Sequence, residues 1–184
     1  MQISLPDADL QLFPQHFPIA VAEKLFLGLK NNIPWVQNRI KFYGKESLVP
    51  RLESWHGDEG MSYTYSGIRM DAKPWTDELR EIKTSIEPIA GICFNSVLIN
   101  YYRDGKDRVA WHSDDEKELG EEPIIGSVSF GEVRKFRLRN KEDKKLIHTY
   151  ELENGSLLIM KGKTQKYWEH EIPKTKKNVL GRIN

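Results

Sequence analysis

The chain has 184 residues, 39% hydrophobic and 30% charged, with a formal net charge of +1. That balance fits a single folded domain with a sizeable core, and excludes a disordered or fibrous chain. No apolar run can span a bilayer, Met1–Pro6 lacks the layout of a secretory leader, and Cys93 has no second cysteine to pair with, so an intracellular protein independent of membranes is expected.

In chain order, the first predicted element is a helix over 18–31, with Pro18 in its first turn and Ile19, Ala22, Leu25, Phe26 and Leu29 on one face. Residues 40–45 read as the tip of a hairpin, with Tyr43 and Gly44 at its end. A second helix follows Trp75. Thr76 caps it, Asp77 and Glu78 suit its positive end, Leu79, Ile82 and Ile86 form its stripe, and Pro88 is expected to stop it. From Cys93 onward the pattern changes to short runs rich in β-branched and aromatic residues: 96–102, 124–130, 135–139, 146–152, 156–160, 167–172 and 179–184. Turn residues at 140–144 and 153–155 separate several of them. The fold expected is α+β: a double-stranded β-helix, or jelly roll, over about 93–184, preceded over about 1–92 by helices and a hairpin region.

Charge is unevenly spread. Residues 1–133 carry 14 basic and 21 acidic side chains, whereas 134–184 carry 14 basic and 6 acidic. Such a basic stretch can neutralise phosphates. On charge alone, solvated strand faces and turns are the plainer account.

His112-Ser113-Asp114 places an imidazole and a carboxylate two residues apart, on the same side of an extended segment. His170 lies 56 residues beyond Asp114, on a predicted strand. Two histidines and a carboxylate form the facial triad of non-haem iron(II) oxygenases, which leaves positions open for a co-substrate and oxygen. A lone His-x-Asp is common, and taken by itself a surface turn is the plainer account of it. His16, His56 and His148 have no comparable partner and read as ordinary core or surface residues. If the co-substrate is 2-oxoglutarate, its far carboxylate needs a cation. Arg182, twelve residues after His170 on the next strand, can grip it bidentately.

Several ordered segments resemble the AlkB dioxygenases: Leu98–Tyr102, Trp111–Glu116, Pro123–Gly131, Gly155–Met160, and His170 followed by Arg182-Ile183-Asn184. The likeness reaches upstream to Pro50-Arg51 and Tyr63–Gly67, so it covers about residues 40–184, and it is closest to the branch containing AlkB homologues two and three. The resemblance implies iron(II), 2-oxoglutarate and O2, with iron held by His112, Asp114 and His170. It implies co-substrate contacts from Asn100, Tyr102, Arg182 and Asn184. Tyr65 would stack on a flipped base, Tyr63, Ser66, Asp115 and Glu116 would line its pocket, and Arg51 would touch the base or its surroundings. The hairpin resembles the finger that enters a duplex, with Tyr43 as wedge beside Gly44 and Lys45 as a phosphate contact.

The activity so implied is oxidative demethylation of 1-methyladenine and 3-methylcytosine in DNA, releasing formaldehyde, in alkylation repair. The partner would be methylated DNA and the working unit a monomer, nuclear in a eukaryote or cytoplasmic in a bacterium. Three alternatives stand beside it: a demethylase of RNA or single strands, a nucleic-acid-binding module without activity, and a hydroxylase of proteins or small molecules. The family's final signature reads Arg-x-Asn-x-Thr-x-Arg, its last arginine on the far carboxylate. The chain reaches Asn184, the third position of that signature.

Overall fold

Side-chain alternation along the strands decides which groups meet. The computed structural model describes residues 1–42, 45–65 and 68–184. The first half contains β1 (Gln2–Leu5), β2 (Ala8–Phe13), α1 (Ile19–Asn32), β3 (Arg39–Phe42), β4 (Lys45–Leu48), β5 (Leu52–Gly57), β6 (Ser62–Tyr65), β7 (Ile68–Asp71) and α2 (Asp77–Ala90). The second half contains β8 (Ser96–Tyr102), β9 (Val109–His112), β10 (Ile125–Gly131), β11 (Arg134–Asn140), β12 (Ile147–Leu152), β13 (Ser156–Lys161), the single turn α3 (Thr164–Tyr167), β14 (Trp168–Ile172) and β15 (Arg182–Ile183).

Two sheets form the jelly roll. The major sheet runs β1-β2-β13-β10-β15-β8-β5, and the minor sheet runs β12-β11-β14-β9. The pairs β3-β4 and β6-β7 are separate antiparallel ribbons.

The major sheet has two buried faces, each with its own apolar set. Val128, Phe130, Leu157, Ile159, Ile99 and Ile183 pack with Ala22, Leu25, Leu29, Leu79, Ile82 and Ile86 of the two helices. The residues between them in sequence point to the minor sheet. Tyr102, Leu158 and Met160 meet Phe136, Leu138, Trp168 and Ile172 there. This period of two places Ser127, Ser129, Arg182 and Asn184 inside the roll.

The helices depart from the sequence reading in two respects. Ile19 is 63% exposed and lies off the buried face of α1. Pro88 does not stop α2, which continues to Ala90. A proline in the last turn removes only one hydrogen bond. The stop comes from Gly91 in the left-handed region at φ 75°, whose N–H bonds the Glu87 carbonyl at 2.8 Å.

The strands depart more. Those of the jelly roll begin at Gln2 rather than after Cys93, and β2 and β5 extend the major sheet on either side. The segment expected as a strand over 179–184 is a short strand, Arg182–Ile183, with Asn184 continuing the backbone pairing to β8 through Asn100.

Candidate metal centre

The minor sheet builds the centre from two adjacent strands. β14 pairs antiparallel with β9, and His170 stands directly opposite His112. Asp114 follows β9 by two residues and returns to the same side. The nitrogen and oxygen atoms these residues offer all lie within 4.8 Å of one another. His112 Nε2 is 3.9 Å from one Asp114 oxygen, and His170 Nε2 is 3.6 Å from the other. An ion with bonds of about 2 Å bridges such a span with small side-chain shifts. Two imidazoles and one carboxylate suit iron(II).

The donors are prepared for a metal. His112 Nδ1 lies 2.8 Å from the Ala110 carbonyl, an acceptor only, so Nδ1 carries the proton and Nε2 presents its lone pair. Burial, reinforced by the neighbouring His112 and by the Lys141 ammonium, holds the His170 pKa well below 6.5 and keeps the ring neutral. Phe136 stacks on the His170 ring at 5.3 Å. Enclosure by the barrel walls raises the Asp114 pKa against the pull of His112, and Glu116 and Asp115 add to the rise. A cation placed there offsets the cost of burying the Asp114 carboxylate and meets a neutral His170 nitrogen.

Contacts outside the triad fix the Asp114 turn. Ser113 Oγ donates to the Trp168 carbonyl at 2.9 Å, and the Asp114 N–H donates to the buried Gln165 Oε1 at 3.0 Å. Lys141 Nζ bonds both the Gln165 carbonyl and Asp115 Oδ2, at 2.8 and 3.0 Å. The sequence carries no signal for Gln165 or Lys141, because their role depends on the turn at 164–167 folding back onto the centre.

A second cluster sits on the major sheet. Arg182 is fully buried and stands opposite Tyr102 in the β15–β8 ladder. Its Nη2 donates to Ser129 Oγ at 2.8 Å and its Nη1 to the Arg134 carbonyl at 3.4 Å, while Nε has no partner. Burial lowers its pKa to about 10, still far above neutral pH, so it remains a cation, and among the described residues no carboxylate pairs with it. A buried guanidinium with an unused N–H is a receptor for a carboxylate, and the arrangement fits the co-substrate. Tyr102 is buried beside it, and burial raises its hydroxyl pKa, which keeps it a neutral donor. Ser127 and Ser129, given no role of their own within the Pro123–Gly131 segment, are small inward residues of β10 that alternation alone singles out.

The other candidates take varied positions. Asn184 donates through Nδ2 to Ser127 Oγ and the Val128 carbonyl, at 2.9 and 2.8 Å, so the part of its amide left over is an acceptor. Asn100 and Arg51 bond each other. Asp115 is exposed and paired with Lys141, and Glu116 is half-buried beside it. Tyr43, Gly44 and Ser66 lie outside the described residues. Lys45 begins β4 and Tyr63 and Tyr65 lie on β6, their side chains outside the description as well. His56 is a satisfied core residue, between the Pro74 carbonyl at 2.7 Å and Ser54 Oγ at 3.1 Å.

A jelly roll holding a His-Asp-His centre against a buried arginine defines a non-haem metal oxygenase architecture. Residues 9–184 match the family model of the 2OG-Fe(II) oxygenase superfamily. The chain belongs to that superfamily, and within it to the AlkB-type dioxygenases. It is 40% identical over 182 residues to human alpha-ketoglutarate-dependent dioxygenase alkB homolog 3, covering 94% of this chain and 63% of that protein. It is 36% identical over 178 residues to human DNA oxidative demethylase ALKBH2, covering 91% and 68%. The chain therefore spans about two thirds of the length of these relatives. Among solved structures, that of OsALKBH1 superposes with a TM-score of 0.67 at 15% identity, covering 99% of this chain and 97% of its own, a likeness of fold.

Proposed function

We propose that the protein is an iron(II)- and 2-oxoglutarate-dependent demethylase of N-alkylated bases in DNA, with 1-methyladenine and 3-methylcytosine as substrates. The observation that carries this reading is the pairing of two sites inside one roll: the His112–Asp114–His170 centre and the buried, incompletely partnered Arg182. The names of the relatives, among them DNA oxidative demethylase ALKBH2, support the choice of substrate.

His112, Asp114 and His170 would hold the iron, and Arg182 with Tyr102 would anchor a carboxylate of the co-substrate. Bound iron, with oxygen and 2-oxoglutarate, supplies the oxidation that puts a hydroxyl on the methyl carbon. The hydroxymethyl group then leaves as formaldehyde, its hydroxyl proton passing to solvent as the nitrogen–carbon bond breaks. Methylation at these ring nitrogens makes the base cationic, and Asp115 and Glu116 beside the centre favour that charge. A stacked base must be extruded to reach the site, and aromatic stacking by Tyr65 on β6 would offset the lost base stacking. The same reading takes methylated DNA as partner and a monomer as the working unit.

The test is an assay of formaldehyde and succinate release from matched single- and double-stranded oligonucleotides carrying 1-methyladenine, with iron(II) and 2-oxoglutarate. Stoichiometric release is expected. A metal-loaded protein that releases neither product overturns the reading.

A further inference from the structure

The resemblance places Arg51 at the base or its surroundings, and its side chain is held by other residues of the chain. Arg51 is 8% exposed and Glu53 is 4% exposed. The guanidinium is shared among three partners: Nε donates to Asn100 Oδ1 at 2.8 Å, Nη2 pairs with Glu53 Oε1 at 2.5 Å, and Nη1 reaches the Arg108 carbonyl at 3.5 Å. Asn38 Nδ2 donates to the second Glu53 oxygen at 3.0 Å, so the carboxylate is held on both sides. The backbone around Arg51 is fixed too. Its N–H bonds the Val49 carbonyl at 2.9 Å, and the Arg108 N–H bonds the Pro50 carbonyl at 2.8 Å. A group tied down in this way is poorly suited to follow a base in and out.

What the network does control is the Asn100 amide. Asn100 is on β8, two residues before Tyr102 and therefore on the same face. Its backbone is paired in both directions with Asn184, at 2.8 and 2.9 Å, which leaves only the side chain to be oriented. Arginine can donate but cannot accept. Contact with Arg51 therefore dictates that Asn100 presents Oδ1 to it and turns its two N–H donors away from the guanidinium. The opposite orientation would set an amide N–H against a guanidinium. Asn184 has both donors engaged elsewhere, so Asn100 is the amide available to donate to an anion.

Resting on the co-substrate reading above, we propose that Arg51 is a positioning residue for 2-oxoglutarate: by holding Asn100 Oδ1 it aims the Asn100 amide donors at a co-substrate carboxylate. The buried Glu53 keeps the guanidinium in register for that task, because it fills one edge of the fork and leaves Nε directed at β8.

The experiment measures binding rather than turnover. 2-Oxoglutarate is titrated without oxygen into the manganese(II)-loaded protein, and a 1-methyladenine oligonucleotide is titrated separately. Two variants are compared with the wild type. R51K keeps a charge for Glu53 but loses the fork that reaches Asn100. R51M/E53M removes both members of the buried pair, a replacement that interiors commonly tolerate, and guards against misfolding from a lone carboxylate. Both are expected to weaken 2-oxoglutarate binding about tenfold, the scale of one lost hydrogen bond, with manganese and oligonucleotide affinities within about twofold of wild type. Unchanged 2-oxoglutarate affinity overturns the proposal, and if oligonucleotide binding falls instead, Arg51 reads the base. A parallel loss of manganese affinity also overturns it, since the effect would then be a general collapse of the chamber. If the wild type itself fails to bind 2-oxoglutarate, the demethylase reading fails first and this one with it.

Discussion

His112 and His170 are register partners across the β9–β14 pair, their ring centroids 4.2 Å apart. A ladder of backbone hydrogen bonds, rather than loop conformation, thus sets the separation of the two imidazoles. The metal site inherits the rigidity of the sheet.

For that reason His112→Ala and Asp114→Ala are expected to leave the fold intact while reducing turnover by at least about a thousandfold, as loss of a metal does. Iron or manganese titration by calorimetry, with circular dichroism as the fold control, checks both halves. Persistence of tight metal binding in either variant counts against the assignment.

Arg182→Met should act on the co-substrate alone. Loss of a charge-assisted contact of roughly 1.5–3 kcal/mol corresponds to a rise of about 10- to 150-fold in the 2-oxoglutarate requirement, with little change in the oligonucleotide requirement. Steady-state kinetics with each substrate varied in turn separates the two. Equal effects on both would deny Arg182 its role.

Acidification should destabilise the metal-free protein. Burial lowers the His56 pKa, the Pro74 hydrogen bond opposing and the Lys73 charge assisting, and burial lowers that of His170 further. In the unfolded chain both titrate near 6.5. Above that value both states are neutral and nothing is lost. Below it the unfolded chain takes up protons first, so stability falls as pH drops from 6.5 towards the folded pKa values. Thermal melts between pH 7.5 and 5.5 report this, and His56→Gln should flatten the dependence. A melting temperature that climbs on acidification contradicts the argument.

Gly105 seats the basic segment after β14. Its carbonyl accepts from the Thr175 N–H at 2.7 Å, and a Cβ there would lie 2.5 Å from the Thr175 carbonyl oxygen. Gly105→Ala must therefore displace the exposed Lys174, Lys176 and Lys177. Oligonucleotide affinity is expected to fall several-fold, with a shallower salt dependence, while 2-oxoglutarate affinity stays constant. Fluorescence anisotropy at several salt concentrations measures the change. An unaltered salt slope would mean that these lysines do not meet phosphate.

Tyr43 carries the riskiest expectation. β3 and β4 pair antiparallel with Phe42 opposite Lys45, so they flank the position where a finger is expected. Tyr43→Ala should reduce repair of duplex substrate and spare single strands, where no stack has to be broken. Comparable losses on both substrates point to a folding role, and no loss on either removes the finger from the account.

Most of the site was legible because its chemistry is local in sequence or periodic. His112 and Asp114 are two residues apart on extended chain, and Arg182 shares the inward parity of its strand. What escaped depends on long-range packing. Gln165 reaches the Asp114 N–H only because the 164–167 turn closes over it, and no pattern within the turn announces that. Arg51 was legible as a residue but not as a partner of Asn100, a contact set by the β5–β8 register. Among the fold elements, β1 and β2 were missed. They are short strands that complete a sheet whose other members lie far along the chain, and local propensity cannot see such pairing. Pro88 misled for a related reason: proline's effect depends on how many turns remain, and here Gly91 settled the boundary.

The pairing of β2 with β13 has a consequence for how the protein is made. Leu12 and Leu158 are register partners 146 residues apart. At typical synthesis rates of 5–20 residues per second, β2 waits roughly 7–30 s on the ribosome before its partner strand exists. Through that interval Leu10 and Leu12, buried in the finished roll, have no sheet to enter. Closing this pair is therefore the capture of one strand by another made 146 residues later, a topology that favours slow folding and exposes the nascent chain to chaperones meanwhile.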